Sequence, residues 1–146
     1  MKTTEKGFTL IESLLVLSIF LTISSVTVIT IKPQYEGREA EKFFTQLRAD
    51  ILYGQQYAIS HQEEVTVIFS ALDHYYYLRT SYNLQPFIKR YYSENITVSP
   101  GSLPLDFTFS PSGMINKFGS LLIKSGSRYY RLTFQIGEGR FYVVEE

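Results

Sequence analysis

The chain has 146 residues, no cysteine, and 14 basic against 14 acidic residues, so its formal net charge is zero. The absence of cysteine excludes disulfides and thiol chemistry, and a neutral total gives no electrostatic reason to expect a polyanionic partner. With only two histidines, a metal site would need ligands from distant loops, and we predict no metal and no cofactor.

The first predicted element is an apolar helix over 8–31 that is long enough to cross a membrane. It contains no Lys, Arg, Asp, Pro or Gly, and about 24 residues span roughly 36 Å, against a hydrocarbon core of about 30 Å. A secretory signal peptide is the alternative, but its apolar region would be about 7 to 15 residues with a small-residue exit. Glu12 interrupts the apolar run, and an ionisable group in such a helix indicates a function.

The residues around Glu12 resemble a known processing signal. They read KGFTLIE at positions 6–12, after a short basic leader and before the apolar helix. This pattern resembles the class III signal of type IV pilins and of type II secretion pseudopilins. The resemblance implies that prepilin peptidase removes residues 1–7 by cutting after Gly7, that the new N-terminus Phe8 is methylated, and that Glu12 serves filament assembly. An ordinary signal anchor is the alternative.

The lysines that flank the apolar helix predict its orientation in the membrane. Lys2 and Lys6 lie on the leader side and only Lys32 on the other side, so the leader faces the cytoplasm and the C-terminal domain lies outside. The resemblance implies the same topology, a single-pass membrane protein that reaches the cell surface after assembly. Its predicted partners are the membrane, prepilin peptidase and other major and minor pilins.

A stripe of small hydroxyl residues follows the apolar helix. Ser18, Thr22 and Ser25 recur at spacings of four and three, and such stripes favour close helix packing. The stripe lies about a quarter turn from Glu12, so we predict that the two features face different neighbouring helices. The alternative is that these hydroxyls bond to the backbone of their own helix.

A second, amphipathic helical segment is predicted over 32–62, ending near His61. Pro33 either starts this helix or kinks one that began in the membrane, and the family resemblance favours one long, bent helix. Asp50 and other polar residues are expected at the edges of its apolar stripe or opposite it. Gly54 is expected to let a strand pack closely. The residues of the stripe are Ala40, Phe43, Phe44, Leu47, Ile51, Gly54 and Ala58.

Strand periodicity dominates the predicted extracytoplasmic domain over 63–146. Helix first and antiparallel strands afterwards predict an α+β, pilin-like fold, with the long N-terminal helix packed on a C-terminal antiparallel β-sheet. The strongest loop signal is 99–104, and a turn at 137–139 joins the last two strands. Glu145 and Glu146 are predicted to form a solvated tail. The expected strands are 65–69, 75–79, 87–92, 96–98, 106–109, 120–124, 128–135 and 140–144.

The segment from Phe107 to Gly113, followed by a strand that begins at Gly119, resembles the C-terminal sheet of the pseudopilin H-like group. With the N-terminal signal, this narrows the class to a minor pilin or pseudopilin. The small size, the missing cysteines and the Tyr-rich sheet are similar to minor pilins of the competence pilus, which implies a structural part in DNA uptake. The alternatives are a pseudopilin of a protein-secretion system and a bitopic membrane protein with an extracytoplasmic binding domain.

The residues give little support to an enzyme, and more to contact with DNA. Asp73 and His74 are adjacent, which is not a triad spacing, and no nucleophile or phosphate-loop motif occurs. Residues 89–92 (KRYY) and 128–131 (RYYR) interleave cations with aromatics, the types that hold phosphates and stack on bases. Because strands alternate faces, half of each set faces the core, so sheet packing and indirect contact with DNA are favoured over direct contact. The candidates for direct contact are Lys89, Arg90, Arg128 and Arg131.

Overall fold

The computed structural model describes the backbone of residues 9–135 and 141–146, and the side chains of 9–26, 37–135 and 141–146. The chain divides between Tyr35 and Glu36 into two units. The predicted leader 1–7 and the turn at 137–139 lie outside the described residues.

One helix, α1, spans Leu10–His61. It passes through Pro33 without interruption, so the alternative in which Pro33 starts a separate helix is wrong and a single long helix is correct. The helix ends where Gln62 adopts a left-handed conformation, with φ of 55°. The N–H of Glu63 then donates to the carbonyl of Ala58 at 3.2 Å, a bond that satisfies one of the last helical carbonyls.

In the described part of the chain, eight strands follow the helix. They form two antiparallel four-stranded sheets, the first in the order β3-β2-β1-β5 and the second in the order β4-β6-β7-β8. The α+β prediction is confirmed, whereas the expectation of a single sheet is corrected to two. The strands are β1 (Val65–Ser70), β2 (Tyr75–Thr80), β3 (Ile88–Tyr91), β4 (Ile96–Pro100), β5 (Asp106–Phe109), β6 (Gly119–Ser125), β7 (Arg128–Phe134) and β8 (Phe141–Glu145).

The core of the second unit lies between the helix and the inner faces of the two sheets. The predicted apolar stripe of the helix is confirmed, since six of its residues are buried and Phe44 is half-buried. Phe107 of β5 joins the sheets, because its ring centroid lies 4.8 Å from that of Phe134 on β7. A Cβ atom on Gly54 would come within 2.5 Å of Leu78 Cδ2 on β2, so the predicted close approach of a strand is also confirmed.

The loop predicted over 99–104 begins two residues later than expected. β4 extends to Pro100, which occupies the edge strand of the second sheet, a position where a missing N–H is tolerated. The loop is then fastened to β6, because the N–H of Leu103 donates to the carbonyl of Ser120 at 3.0 Å and the Leu103 side chain is fully buried.

Candidate assembly and binding surfaces

The start of the helix presents Glu12 in its first turn. Thr9 precedes the helix, and its Oγ1 accepts a hydrogen bond from the N–H of Glu12 at 3.4 Å. A Thr followed three residues later by Glu is a capping-box pattern, which the sequence analysis did not use. Glu12 is exposed, and its carboxylate lies where the helix dipole favours negative charge. Gly7 and Phe8 lie outside the described residues, so cleavage and methylation stay predictions.

The first helical turns expose apolar side chains on every side. All Leu, Ile, Val and Phe residues over 10–26 are exposed, up to 80% for Leu10. In the part of the chain that the structure describes, no helix combines the length and the apolar character required to span a membrane. The membrane segment over 8–31 therefore stays a prediction.

Two of the hydroxyls in the predicted packing stripe bond to their own helix. Ser18 Oγ donates to the carbonyl of Leu15 and Thr22 Oγ1 to the carbonyl of Ser18, both at 2.8 Å. The alternative considered for these hydroxyls is thus confirmed for Ser18 and Thr22. That the stripe, with Ser25, faces a different neighbouring helix from Glu12 stays a prediction.

The four cations proposed for DNA contact do not form one group. Arg90 Nε lies 3.1 Å from Asp50 Oδ2 of the helix. Arg128 and Arg131 pair with two carboxylates of the C-terminal strand and terminus, at 3.6 Å and 2.6 Å respectively. Glu145 and Glu146 are exposed, as predicted for a solvated tail, and they are also the partners of these arginines. Three of the four predicted contacts already have a carboxylate partner within the chain.

Asp50 is a buried carboxylate of the domain interior whose hydrogen-bond partners the sequence did not predict. It is 5% exposed and accepts hydrogen bonds from Tyr76 Oη at 2.7 Å, Gln46 Nε2 at 3.0 Å and Arg90 Nε. Burial, reinforced by the hydrogen bond to Asp50, raises the pKa of the Tyr76 phenol well above its usual value. Asp50 lies beside the predicted apolar stripe. Its hydrogen-bond donors Tyr76 and Arg90 are far from it in the sequence, so residue spacing could not predict that these side chains meet.

Tyr92 follows β3 and packs on the helix. Its ring centroid lies 5.2 Å from that of Phe43 and 5.8 Å from the imidazole of His74. Burial raises the pKa of Tyr92 from 10.0 to about 12. His74 itself accepts the N–H of Tyr92 through its carbonyl at 2.9 Å, so this histidine fixes the turn between β1 and β2. Among the side chains of 9–26, 37–135 and 141–146, no three of His, Asp or Glu are grouped in a way that could hold a metal ion.

The outer side of the first sheet carries a group of four residues that we call the tyrosine face, Tyr75, Tyr77, Lys89 and Tyr91. Lys89 Nζ lies 4.0 Å from the ring centroid of Tyr75 and 5.0 Å from that of Tyr91. A hydrogen bond with Tyr91 raises the pKa of the Lys89 ammonium, and the charge of the Asp73 carboxylate acts in the same direction. Of the four residues predicted to contact DNA, Lys89 belongs to this group. The alternation of side chains along a strand could have predicted that Tyr75 and Tyr77 lie on one side of β2.

Two solved structures share the arrangement of helix and strands. The chain is similar to the minor pseudopilin EpsH from the type 2 secretion system of Vibrio cholerae, with a TM-score of 0.54 and 15% identity over 73% of this chain and 97% of that one. It is also similar to the type IV minor pilin FimU of Pseudomonas aeruginosa, with a TM-score of 0.52 and 16% identity over 68% of this chain and 84% of that one. The fold is that of minor pilins and pseudopilins.

The sequence comparison gives the family. The chain is 31% identical to "Competence protein ComGD" of Bacillus subtilis (strain 168) over 136 residues, which is 93% of this chain and 91% of that protein. No protein-family model matches the chain. The chain belongs to the ComGD family of competence proteins, and it is a minor pilin.

Proposed function

We propose that this minor pilin is a non-catalytic structural subunit of a competence type IV pilus that takes part in DNA uptake during transformation. Prepilin peptidase removes residues 1–7 by cutting after Gly7 and methylates Phe8. The helix over 8–31 then holds the subunit in the cell membrane, with the C-terminal domain outside, until other major and minor pilins take it into the filament. The family relationship to a competence protein supports this assignment.

The observation that carries the proposal is the surface of the helix over 10–26. It exposes apolar side chains on every side, and apart from small hydroxyl residues it is interrupted by Glu12. A helix that is apolar all round is stable where lipid or other helices cover it. A carboxylate at the centre of such a helix costs about 2.5 to 3.5 kcal/mol on insertion scales, and less near an end. The α-amino group that cleavage creates at Phe8 of a neighbouring subunit supplies the compensating charge, at a similar depth.

Processing is tested by intact-mass analysis of the protein from cells with and without prepilin peptidase. We expect loss of residues 1–7 and the gain of one methyl group only when the peptidase is present. A mature chain that still begins at Met1 in both strains would leave an ordinary signal anchor or a bitopic binding protein as the better description.

The role of Glu12 is tested by two substitutions that separate its charge from helix capping. Gln at N3 still completes a capping box but carries no charge. If charge pairing drives assembly, Glu12→Gln and Glu12→Ala should both leave cleavage intact and both remove the subunit from sheared filaments. Glu5→Ala is the matched control, because it deletes a carboxylate from the leader that maturation discards. Recovery of assembly with Glu12→Gln would show that capping, and not the ion pair, is what position 12 provides.

The fold likeness to EpsH makes a protein-secretion pseudopilin the second candidate. The two assignments differ in cargo and share every motif of the N-terminal segment. Deletion of the gene separates them: a competence pilin predicts loss of transformation with normal protein secretion, and a secretion pseudopilin predicts the reverse.

A further inference from the structure

The tyrosine face lies on the side of the first sheet that is turned away from the helix. Tyr76 and Leu78 of β2 point inward and are buried, with Leu78 against Gly54 of the helix. Because side chains alternate along a strand, Tyr75 and Tyr77 point to the opposite side. Pairing between β2 and β3 sets Tyr75 opposite Tyr91 and Tyr77 opposite Lys89.

The rings of this face are close to one another and open to solvent. The Tyr75 ring centroid lies 5.5 Å from that of Tyr91 and 6.0 Å from that of Tyr77. Tyr91 is 71% exposed, Lys89 is exposed, and Tyr75 and Tyr77 are half-buried. Aromatic rings grouped on an uncovered sheet surface are typical of a binding site.

The charge of the face distinguishes it from the three arginines that pair with carboxylates. No carboxylate of the described residues lies within 4.0 Å of Lys89 or of Arg79, which follows on the same side of β2, whereas Arg90, Arg128 and Arg131 all have one. Tyr75 and Tyr91 hold the Lys89 ammonium in place through their ring faces. The face therefore combines rings with positive charge that is available to an anionic ligand.

We propose that the tyrosine face binds single-stranded DNA, with bases stacked on Tyr77 and Tyr91 and with phosphates contacted by Lys89 and Arg79. The choice of DNA as the nucleic acid rests on the proposed function. Base stacking on aromatic residues is worth about 1 to 3 kcal/mol per base and needs bases whose faces are free. Two cations neutralise few phosphates, so stacking outweighs the electrostatic attraction and the site selects unpaired strands over duplex.

The test measures fluorescence anisotropy of a labelled oligothymidine, and of a duplex hairpin, with the full chain in detergent micelles. The wild-type protein should bind the single strand at least about tenfold more tightly than the duplex, an advantage on the order of one stacked base. Tyr91→Ala should weaken binding of the single strand about 5- to 150-fold, and Tyr91→Phe should retain it. Lys89→Gln should reduce the slope of log affinity against log salt concentration by about 0.7, as for one lost phosphate contact on a single strand.

The second sheet offers a matched control. Lys124 Nζ lies 5.4 Å from the ring of Tyr129, which is also exposed, so Tyr129→Ala and Lys124→Gln remove the same chemistry elsewhere. Neither should change the affinity. Absence of binding, equal affinity for duplex, or equal losses in the two sets of variants would each overturn the proposal.

Filament assembly separates this inference from the proposed function. Tyr91→Ala should leave the subunit in sheared filaments at the wild-type level, because β3 is an edge strand and Tyr91 is outside the core. If Tyr91→Ala removes the subunit from filaments and leaves oligonucleotide affinity unchanged, the tyrosine face is a contact with another pilin and the proposal is wrong. The Glu12 variants test whether the protein is a filament subunit, and their result does not depend on whether the tyrosine face binds DNA.

Discussion

The first turns of the helix and the domain from Glu36 onward bury their apolar groups in different ways. Over 10–26 the Leu, Ile, Val and Phe side chains are all exposed, whereas the helical stripe of the domain and the inner faces of its sheets are buried within one chain. The domain thus completes its own core. The N-terminal segment needs a cover that lipid or other helices supply.

Two carboxylates on the same helix show the same difference in burial between the two regions. Asp50 is buried and accepts bonds from Tyr76, Gln46 and Arg90. Glu12 is exposed, and its backbone N–H donates a hydrogen bond to Thr9 Oγ1. A substitution at Asp50 should therefore change folding, and one at Glu12 should change assembly.

The largest expected effect comes from the domain core. Phe107 is fully buried with its ring 4.8 Å from Phe134 and 5.9 Å from Phe109. Phe107→Ala should lower the free energy of unfolding by about 3 to 5 kcal/mol, because it leaves a cavity between the sheets. Urea unfolding of the full chain, followed by far-UV circular dichroism, measures this.

Leu14→Ala is the contrasting variant in the N-terminal segment, where the side chain is exposed. It should change the free energy of unfolding by less than about 0.5 kcal/mol. If both variants destabilised the domain equally, the two regions would not be independent in the way their burial indicates.

Loss of the buried carboxylate should have the next largest effect. Asp50→Ala leaves the buried Tyr76 hydroxyl without its acceptor, at a cost of about 1 to 3 kcal/mol. Arg90 is half exposed and can be solvated by water, so it adds little. The control is Asp106→Ala, which breaks an exposed pair with Lys117 at 3.2 Å and should cost no more than about 1 kcal/mol. Equal losses in urea midpoint would contradict the structural role of Asp50.

Two glycines of the helix should respond to alanine with opposite signs. At Gly54 a Cβ would meet Leu78 at 2.5 Å, and at Gly37 it would meet Arg128 at an ordinary 3.5 Å. Overpacking costs about 1 to 3 kcal/mol, and alanine returns about 1 kcal/mol of helix propensity. Thermal unfolding should show a net loss for Gly54→Ala and a gain for Gly37→Ala. A gain at both positions would mean that Leu78 moves aside freely.

The last effect is absent at neutral pH, appears only at alkaline pH and is confined to the domain. The folded-state pKa of Tyr92 is raised from 10.0 to about 12. Its contribution to stability is therefore fully present below pH 10.0 and is lost as the pH rises through about 12. Tyr92→Phe keeps the ring against Phe43 and removes the ionisable group, so its melting temperature should fall less than that of the wild type across this window. Parallel curves for the two proteins would contradict the burial of the Tyr92 hydroxyl.

Local sequence patterns predicted most of the helix and strands of the fold. The spacing of three and four from Ala40 to Ala58 predicted the buried helical stripe, and alternation predicted the strands to within one or two residues at most ends. These features repeat over a few residues, so they are visible without knowing which segments meet. The division of the strands into two sheets was not predicted, because strand order depends on pairings such as β1 with β5 across intervening strands.

The candidate sites also divide into those that local sequence patterns predict and those that depend on contacts between distant segments. By itself, the sequence determined the motif at 6–12 and the apolar helix that carries Glu12, because both are contiguous. Only the tertiary structure decided that Arg90, Arg128 and Arg131 are paired with carboxylates while Lys89 lies over Tyr75 and Tyr91. Whether a surface cation is neutralised depends on which distant side chain reaches it within a few ångströms, and chain folding sets that distance.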